Sequence, residues 1–156
     1  MPTATPPLRA RLSASLKEAM REKDAVRLST LRLINAALKD RDIALRAEGR
    51  ESTDEDALAI LAKMVKQRLE SARAYEEGGR LELAEKERAE IRVVEEFLPR
   101  QLSEEEVDQA VSGAIAETGA SSIRDMGRVM GALKARYAGR MDFGAVGARV
   151  KARLAA

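Results

Sequence analysis

The sequence predicts an all-α protein, a four-helix N-terminal part followed by a small three-helix C-terminal part. Three observations lead there. No segment alternates apolar and polar residues with the period of two that a half-buried strand requires. Apolar residues instead recur every three or four positions along nearly the whole chain. Ser, Thr and Asp stand at the starts of these periodic stretches, with Gly or Pro at their ends.

The elements follow in order. Thr5 before Pro6 reads as a cap with proline in the first turn, and Leu8, Leu12, Leu16 and Met20 then make one stripe. The second helix carries Leu28, Leu31, Ile34, Leu38 and Leu45 on its inner face and ends near Gly49. Thr53 opens the third, with Asp54, Glu55 and Asp56 where the helix dipole favours negative charge. Its stripe of Leu58, Leu61, Val65, Leu69 and Ala72 runs to Gly78-Gly79. The fourth spans about Arg80 to Leu98, with Leu81, Ala84, Ile91, Val94 and Leu98 inward, and Pro99 stops it. Ser103-x-x-Glu106 has the form of a capping box and restarts the chain as helix five, which runs to Gly119. Ser122-x-x-Asp125 repeats the signal for helix six, and Asp142 caps helix seven, with Phe143, Val146, Val150 and Leu154 inward. The expected domains are therefore residues 1–99 and 103–156, joined by a short hinge at Pro99 to Ser103.

Composition limits the chemistry. Hydrophobic residues make up 45% of 156 residues but aromatics only 3%, so the core must be aliphatic. Cysteine is absent, which excludes disulfides, thiolate metal sites and cysteine nucleophiles. Histidine is absent too, and with it the commonest proton carrier near neutral pH and the commonest metal ligand. No apolar run approaches the ~18 residues of a membrane span. The start "MPTATPPLRARL" has no apolar stretch of the secretory kind, and a cytoplasmic protein is expected.

The acidic clusters at 54–56 and 104–106 both occupy first turns, where the dipole stabilises each charge by roughly 0.3–1 kcal/mol. Structural caps are the expected role, because a metal site needs converging rather than adjacent ligands. "GASS" at 119–122 offers serines without a histidine base, and the nearest lysine is Lys134. No phosphate-binding G-x-x-x-x-G-K-[ST] loop is present. The expectation is no catalytic residue, no metal and no cofactor.

Charge is uneven. Residues 1–99 hold 19 basic and 19 acidic residues, whereas residues 120–156 hold eight basic residues against Asp125 and Asp142. Such a cluster fits a polyanionic partner or a solvated basic face. Within it, Gly127 and Gly131 sit inside the sixth helix, where each costs roughly 1 kcal/mol relative to alanine. They lie beside a stripe of Ile123, Met126, Met130, Leu133 and Tyr137, with Arg124 and Arg128 on their far side. Close helix packing is the leading explanation; the other is a nucleic-acid backbone laid against the bare strip.

The segments "REKDAVRLSTLRLINAALKDRDI", "AYEEGGRLELAEKERAEIRVVEEFLPRQLSEEEV" and "GASSIRDMGRVMGALKARYAGRMD" strongly resemble the GatB/YqeY family, over about Leu8 to Leu154. The resemblance implies an all-helical relative of the tail of the GatB component of the aspartyl/glutamyl-tRNA amidotransferase. That enzyme is a carbon–nitrogen ligase with glutamine as amido donor, in which the tail holds tRNA and the chemistry sits elsewhere. The chain departs from the family pattern at Lys134, where an apolar residue is typical. On this resemblance tRNA is the expected partner, bound through Arg124, Gly127, Arg128, Gly131, Lys134, Arg136, Arg140 and Lys151. The rival expectation is a protein–protein adaptor that uses the helices of residues 8–98.

Overall fold

The computed structural model describes residues 7–156. These form seven α-helices, with no strand among the described residues: α1 Leu8–Glu22, α2 Ala25–Ala47, α3 Asp54–Glu77, α4 Leu81–Glu95, α5 Glu104–Thr118, α6 Met126–Tyr137 and α7 Phe143–Ala155. A 3-10 turn, Ile123–Asp125, leads into α6. The chain divides into two compact units, Met1–Leu98 and Pro99–Ala156. The cap expected at Thr5 and Pro6 lies outside the described residues.

In the first unit, Leu8, Leu12 and Ala19 of α1 meet Leu31, Ile34 and Leu38 of α2, Ala57, Leu61 and Met64 of α3, and Val93, Val94 and Phe97 at the end of α4. Met20, expected inward, is 53% exposed, and Ala19 is fully buried in its place. A strict spacing of four drifts about 40° per step around a helix of 3.6 residues per turn. By Met20 the drift from Leu8 is about 120°, whereas Ala19 returns to within about 20° of it. Leu81 is likewise 68% exposed. It stands in the first turn of α4, beyond Ala84, where burial at that end of the hairpin stops.

Local chemistry fixes the helix ends. Thr53 and Asp56 form a reciprocal capping box, Thr53 N–H donating to Asp56 Oδ2 at 2.9 Å and Asp56 N–H to Thr53 Oγ1 at 3.2 Å. The α3–α4 turn passes through Gly79 at φ 72°, a backbone that only glycine adopts without strain. After α4, the amides of Glu96, Phe97 and Leu98 bond three residues back, to Val93, Val94 and Glu95. This tighter turn carries Phe97 into the core and leaves Leu98 only half-buried. Between α3 and α4, Arg68 Nε donates to Glu90 at 3.1 Å, with the two side chains only 15% and 13% exposed.

In the second unit, α5, α6 and α7 surround Val107, Val111, Ala114, Val129, Leu133, Met141, Val146, Val150 and Leu154. The Ser103–Glu106 capping box forms, and Gly119 ends α5 at φ 67°. Residues 100–102, expected to belong to a hinge, are held by the turn after α6. Leu102 N–H donates to Arg140 O at 2.9 Å, and Arg140 Nε donates to Arg100 O at 3.0 Å. Gln101 Nε2 donates to Gly139 O. Arg100 also grips Glu106 through two hydrogen bonds of 3.0 and 2.8 Å. The extended backbone here has no helix of its own, so its polar groups take partners from the neighbouring turn.

Two outcomes follow from these contacts. Glu90→Ala should lower unfolding stability by about 1–3 kcal/mol, since it strands the Arg68 charge in a nearly closed site. Replacing Arg68 and Glu90 together with leucine should be far milder, as read by urea unfolding.

The second outcome concerns acid. Arg100, then the Ser103 N–H, draw the Glu106 carboxyl down to about 2. The Ser121 N–H, then Arg128, hold Asp125 at about 2. Both groups bind protons more weakly when folded, so their contribution is complete above their ordinary values of 4.5 and 3.8. It disappears as pH falls toward about 2. Melts across that window should show the loss, and Glu106→Gln should flatten it.

Candidate nucleic-acid interface

The sixth helix begins later than its sequence suggests. The turn at Ile123–Asp125 is 3-10, and α6 proper starts at Met126. Ile123 consequently drops out of the inward stripe and is 47% exposed. Val129 and Leu133 are the buried residues of α6, while Met126, Met130 and Tyr137 are half-buried. The inward face is thus turned toward Val129, which moves the opposite face fully into solvent.

That opposite face carries Gly127 and Gly131. Both are exposed, and a Cβ built at either would meet no atom within 4 Å. Helix packing, the leading explanation from sequence, is therefore excluded for these two positions. The glycine that faces another helix is Gly147 of α7, where a Cβ would stand 3.7 Å from Cε of both Met126 and Met130. Its sequence signal was available: Gly147 falls at the edge of the inward arc of Val146, Val150 and Leu154, within about 20° of Leu154.

The eight residues expected to bind nucleic acid do not share one surface. At roughly 100° per residue, Lys134 lies within about 20° of Gly127, and Gly131 about 40° beyond Gly127. Arg136 falls on the opposite side of the helix, toward α5, where it meets Glu117 at 3.4 Å. Arg128 is also turned to α5: it pairs with Asp125 and donates to Thr118 O at 3.1 Å, filling an orphan carbonyl at the α5 end. Arg140 is occupied by Arg100 O and lies 5.8 Å over the Tyr137 ring. Arg136, Tyr137 and Arg140 instead line a shallow cleft of about 330 Å³ with Leu102, Gln109 and Gly113.

Pairing sorts the remaining charge. Arg149 of α7 bonds Asp108 at 2.9 Å and also Glu104, and Arg153 reaches Ser112, all on α5. Arg124, Lys134 and Lys151 form no ion pair or hydrogen bond among the described residues. Lys151 follows Gly147 by one turn, so it stands on α7 near the seam with α6. The excess of positive charge counted over residues 120–156 is largely answered by α5. Residues 99–156 together hold nine basic and seven acidic residues. What survives are three cations without an ion-pair or hydrogen-bond partner among the described residues: Arg124 in the turn before α6, Lys134 on the helix face of the two open glycines, and Lys151 on α7.

The polar groups at the start of this helix are already engaged with one another. Ser121 and Ser122 donate their N–H groups to Asp125, at 2.9 and 3.2 Å. Asp125 itself, held at about 2, is ionised and too weakly basic to take a proton at neutral pH. Lys134 makes no hydrogen bond to either serine. No cluster of three acidic side chains able to hold a metal ion occurs among the described residues. The acidic first turns at 54–56 and 104–106 carry capping boxes.

Comparison with known proteins supplies the relationship. The chain is 32% identical over 132 residues to altered inheritance of mitochondria protein 41, mitochondrial, of Pyrenophora tritici-repentis, covering 81% of this chain and 71% of that one. A protein of the same name from Lachancea thermotolerans is 34% identical over 111 residues, covering 69% and 58%. Another, from Clavispora lusitaniae, is 35% identical over 98 residues, covering 61% and 55%. Alignment therefore spans little more than half of the latter two relatives. The names of these fungal relatives specify mitochondria, where the sequence led us to expect a cytoplasmic protein. No helix among the described residues is long and apolar enough to cross a membrane. A family model described as Yqey-like protein matches residues 9–154, and the chain belongs to that family.

Proposed function

We propose that the second unit binds tRNA through the outward face of α6 and the adjoining shoulder of α7. On this reading the chain is a tRNA-holding relative of the amidotransferase tail, without an active site of its own. The observation that carries the proposal is the pair of open glycines beside unpaired cations. Two helix-interior glycines cost roughly 1 kcal/mol each relative to alanine, and no packing contact accounts for either. A backbone-width strip flanked by Arg124, Lys134 and Lys151 suits a phosphodiester chain, which needs close approach and positive charge. Arg128, Arg136 and Arg140 have secondary roles here, because each already has a protein partner. The phosphate chemistry is the same in the cytoplasm, which the sequence suggests, and in mitochondria, which the relatives' names specify.

Neutralising Arg124, Lys134 or Lys151 to glutamine should weaken tRNA binding to a similar extent for different tRNAs. Each change should reduce the log–log salt slope by about one unit for every phosphate that is no longer neutralised. Lys17→Gln in the first unit should leave both unchanged. Fluorescence titrations over a salt series read this directly, and equal effects from Lys17 and Lys134 would sink the assignment.

Gly131→Ala separates contact from mere exposure. The methyl group meets no protein atom, so the domain should gain up to about 1 kcal/mol in thermal melts. Binding should weaken at the same time, because the methyl stands where the RNA backbone would lie. A stabilised variant with full affinity would show that the strip does not touch RNA.

A further inference from the structure

The second helix has two faces that the first unit uses very differently. Leu31, Leu38 and Leu45, spaced by seven, are buried in the unit. On the opposite side Val26, Leu33 and Ile43 are 45%, 48% and 62% exposed, and Ala36 and Ala47 continue the line in solvent. These positions alternate by three and four, with Ser29 and Asp40 filling the remaining places. That is the spacing of a coiled-coil seam, and it runs along the solvent side of a 23-residue helix.

A row of cations borders the seam on one edge. Arg32, Lys39 and Arg46 repeat every seven residues, about 10 Å apart along the axis. Arg32 and Lys39 have no ion-pair partner among the described residues. Arg46 lies near Asp42, whose carboxylate is already engaged by Arg9 through two hydrogen bonds of 2.9 and 2.7 Å. The other edge of the seam is formed by Ala37 and Ala44.

We infer that this face of α2 docks a partner helix with an apolar three-four seam and carboxylates at seven-residue intervals along one flank. Charge complementarity selects that occupant. A second copy paired antiparallel through α2 would set the Arg32–Lys39–Arg46 row against its own copy, like against like. A membrane surface is matched less well, because cations line only one edge of the apolar stripe. Asp40 interrupts the seam near its middle, where a hydrogen-bond donor on the partner would fix the register. The inference concerns the first unit and is independent of the RNA reading.

The test uses the full chain and two synthetic three-heptad peptides. Both carry alanine and leucine in the seam positions; one has glutamate on the flanks and the other lysine. Anisotropy titration should show the glutamate peptide binding and the lysine peptide at least tenfold weaker. Leu33→Glu should reduce glutamate-peptide binding at least tenfold. Reversing the row with Arg32→Glu, Lys39→Glu and Arg46→Glu should exchange the preference of the two peptides, which no loss of folding can mimic. Equal binding of both peptides, or of neither, overturns the inference. So does a Leu33-dependent dimer in sedimentation, or Leu33-dependent binding to phosphatidylglycerol vesicles without peptide binding.

Discussion

A chain with two phenylalanines, two tyrosines and no tryptophan has few large side chains with which to fill space between helices. Its helices must therefore approach closely and interlock through aliphatic and small residues. Ala19, Ala57 and Ala72 are fully buried, and Gly147 faces two methionine side chains. Each buried leucine or valine contributes roughly 1.5–3 kcal/mol. Leucines such as Leu31, Leu38 and Leu45 share the one face of α2 that is buried. The same constraint makes an unpacked glycine informative. Where Gly147 faces a neighbouring helix, a Cβ at Gly127 or Gly131 would meet no atom within 4 Å.

Charge on the second unit is arranged by α5. Its first-turn carboxylates stabilise the helix dipole, and Glu104 and Asp108 also hold Arg149. Farther along, Glu117 faces Arg136, and the last turn of α5 receives Arg128. Exposed pairs of this kind contribute at most about 1 kcal/mol each to stability. Their larger effect is to cancel positive charge on one side and leave it on the other. Arg124, Lys134 and Lys151 have no such partner among the described residues, so positive charge is distributed unevenly over a nearly neutral unit.

Membership in the Yqey-like family names no ligand, so the proposed RNA function rests on the surface of the second unit. The family relationship concerns the whole matched span, whereas the RNA reading rests on α6, α7 and three cations. The relatives' names speak of mitochondrial inheritance and give no reaction. The two units are proposed to offer different surfaces, phosphate-seeking on α6 and α7, helix-seeking on α2.

What the sequence determined by itself was local. Helical periodicity and the Thr53–Asp56 and Ser103–Glu106 caps are written in neighbouring residues, whose interactions span one or two turns, whereas α4 ends at Glu95, before the expected stop at Pro99. The open character of the glycine strip was not legible, because it depends on where α5 and α7 lie against α6. Only tertiary structure distinguished Gly147, which faces a neighbour, from Gly127 and Gly131, which do not. Charge behaved in the same way. A count along residues 120–156 registers every arginine equally, but residues of α5 some 40 positions earlier neutralise Arg149. Likewise Met20 and Ile123 looked inward from spacing, until accumulated phase and a 3-10 turn rotated them out. Periodicity fixes which residues share a face; the packing of one helix on another decides which face meets water.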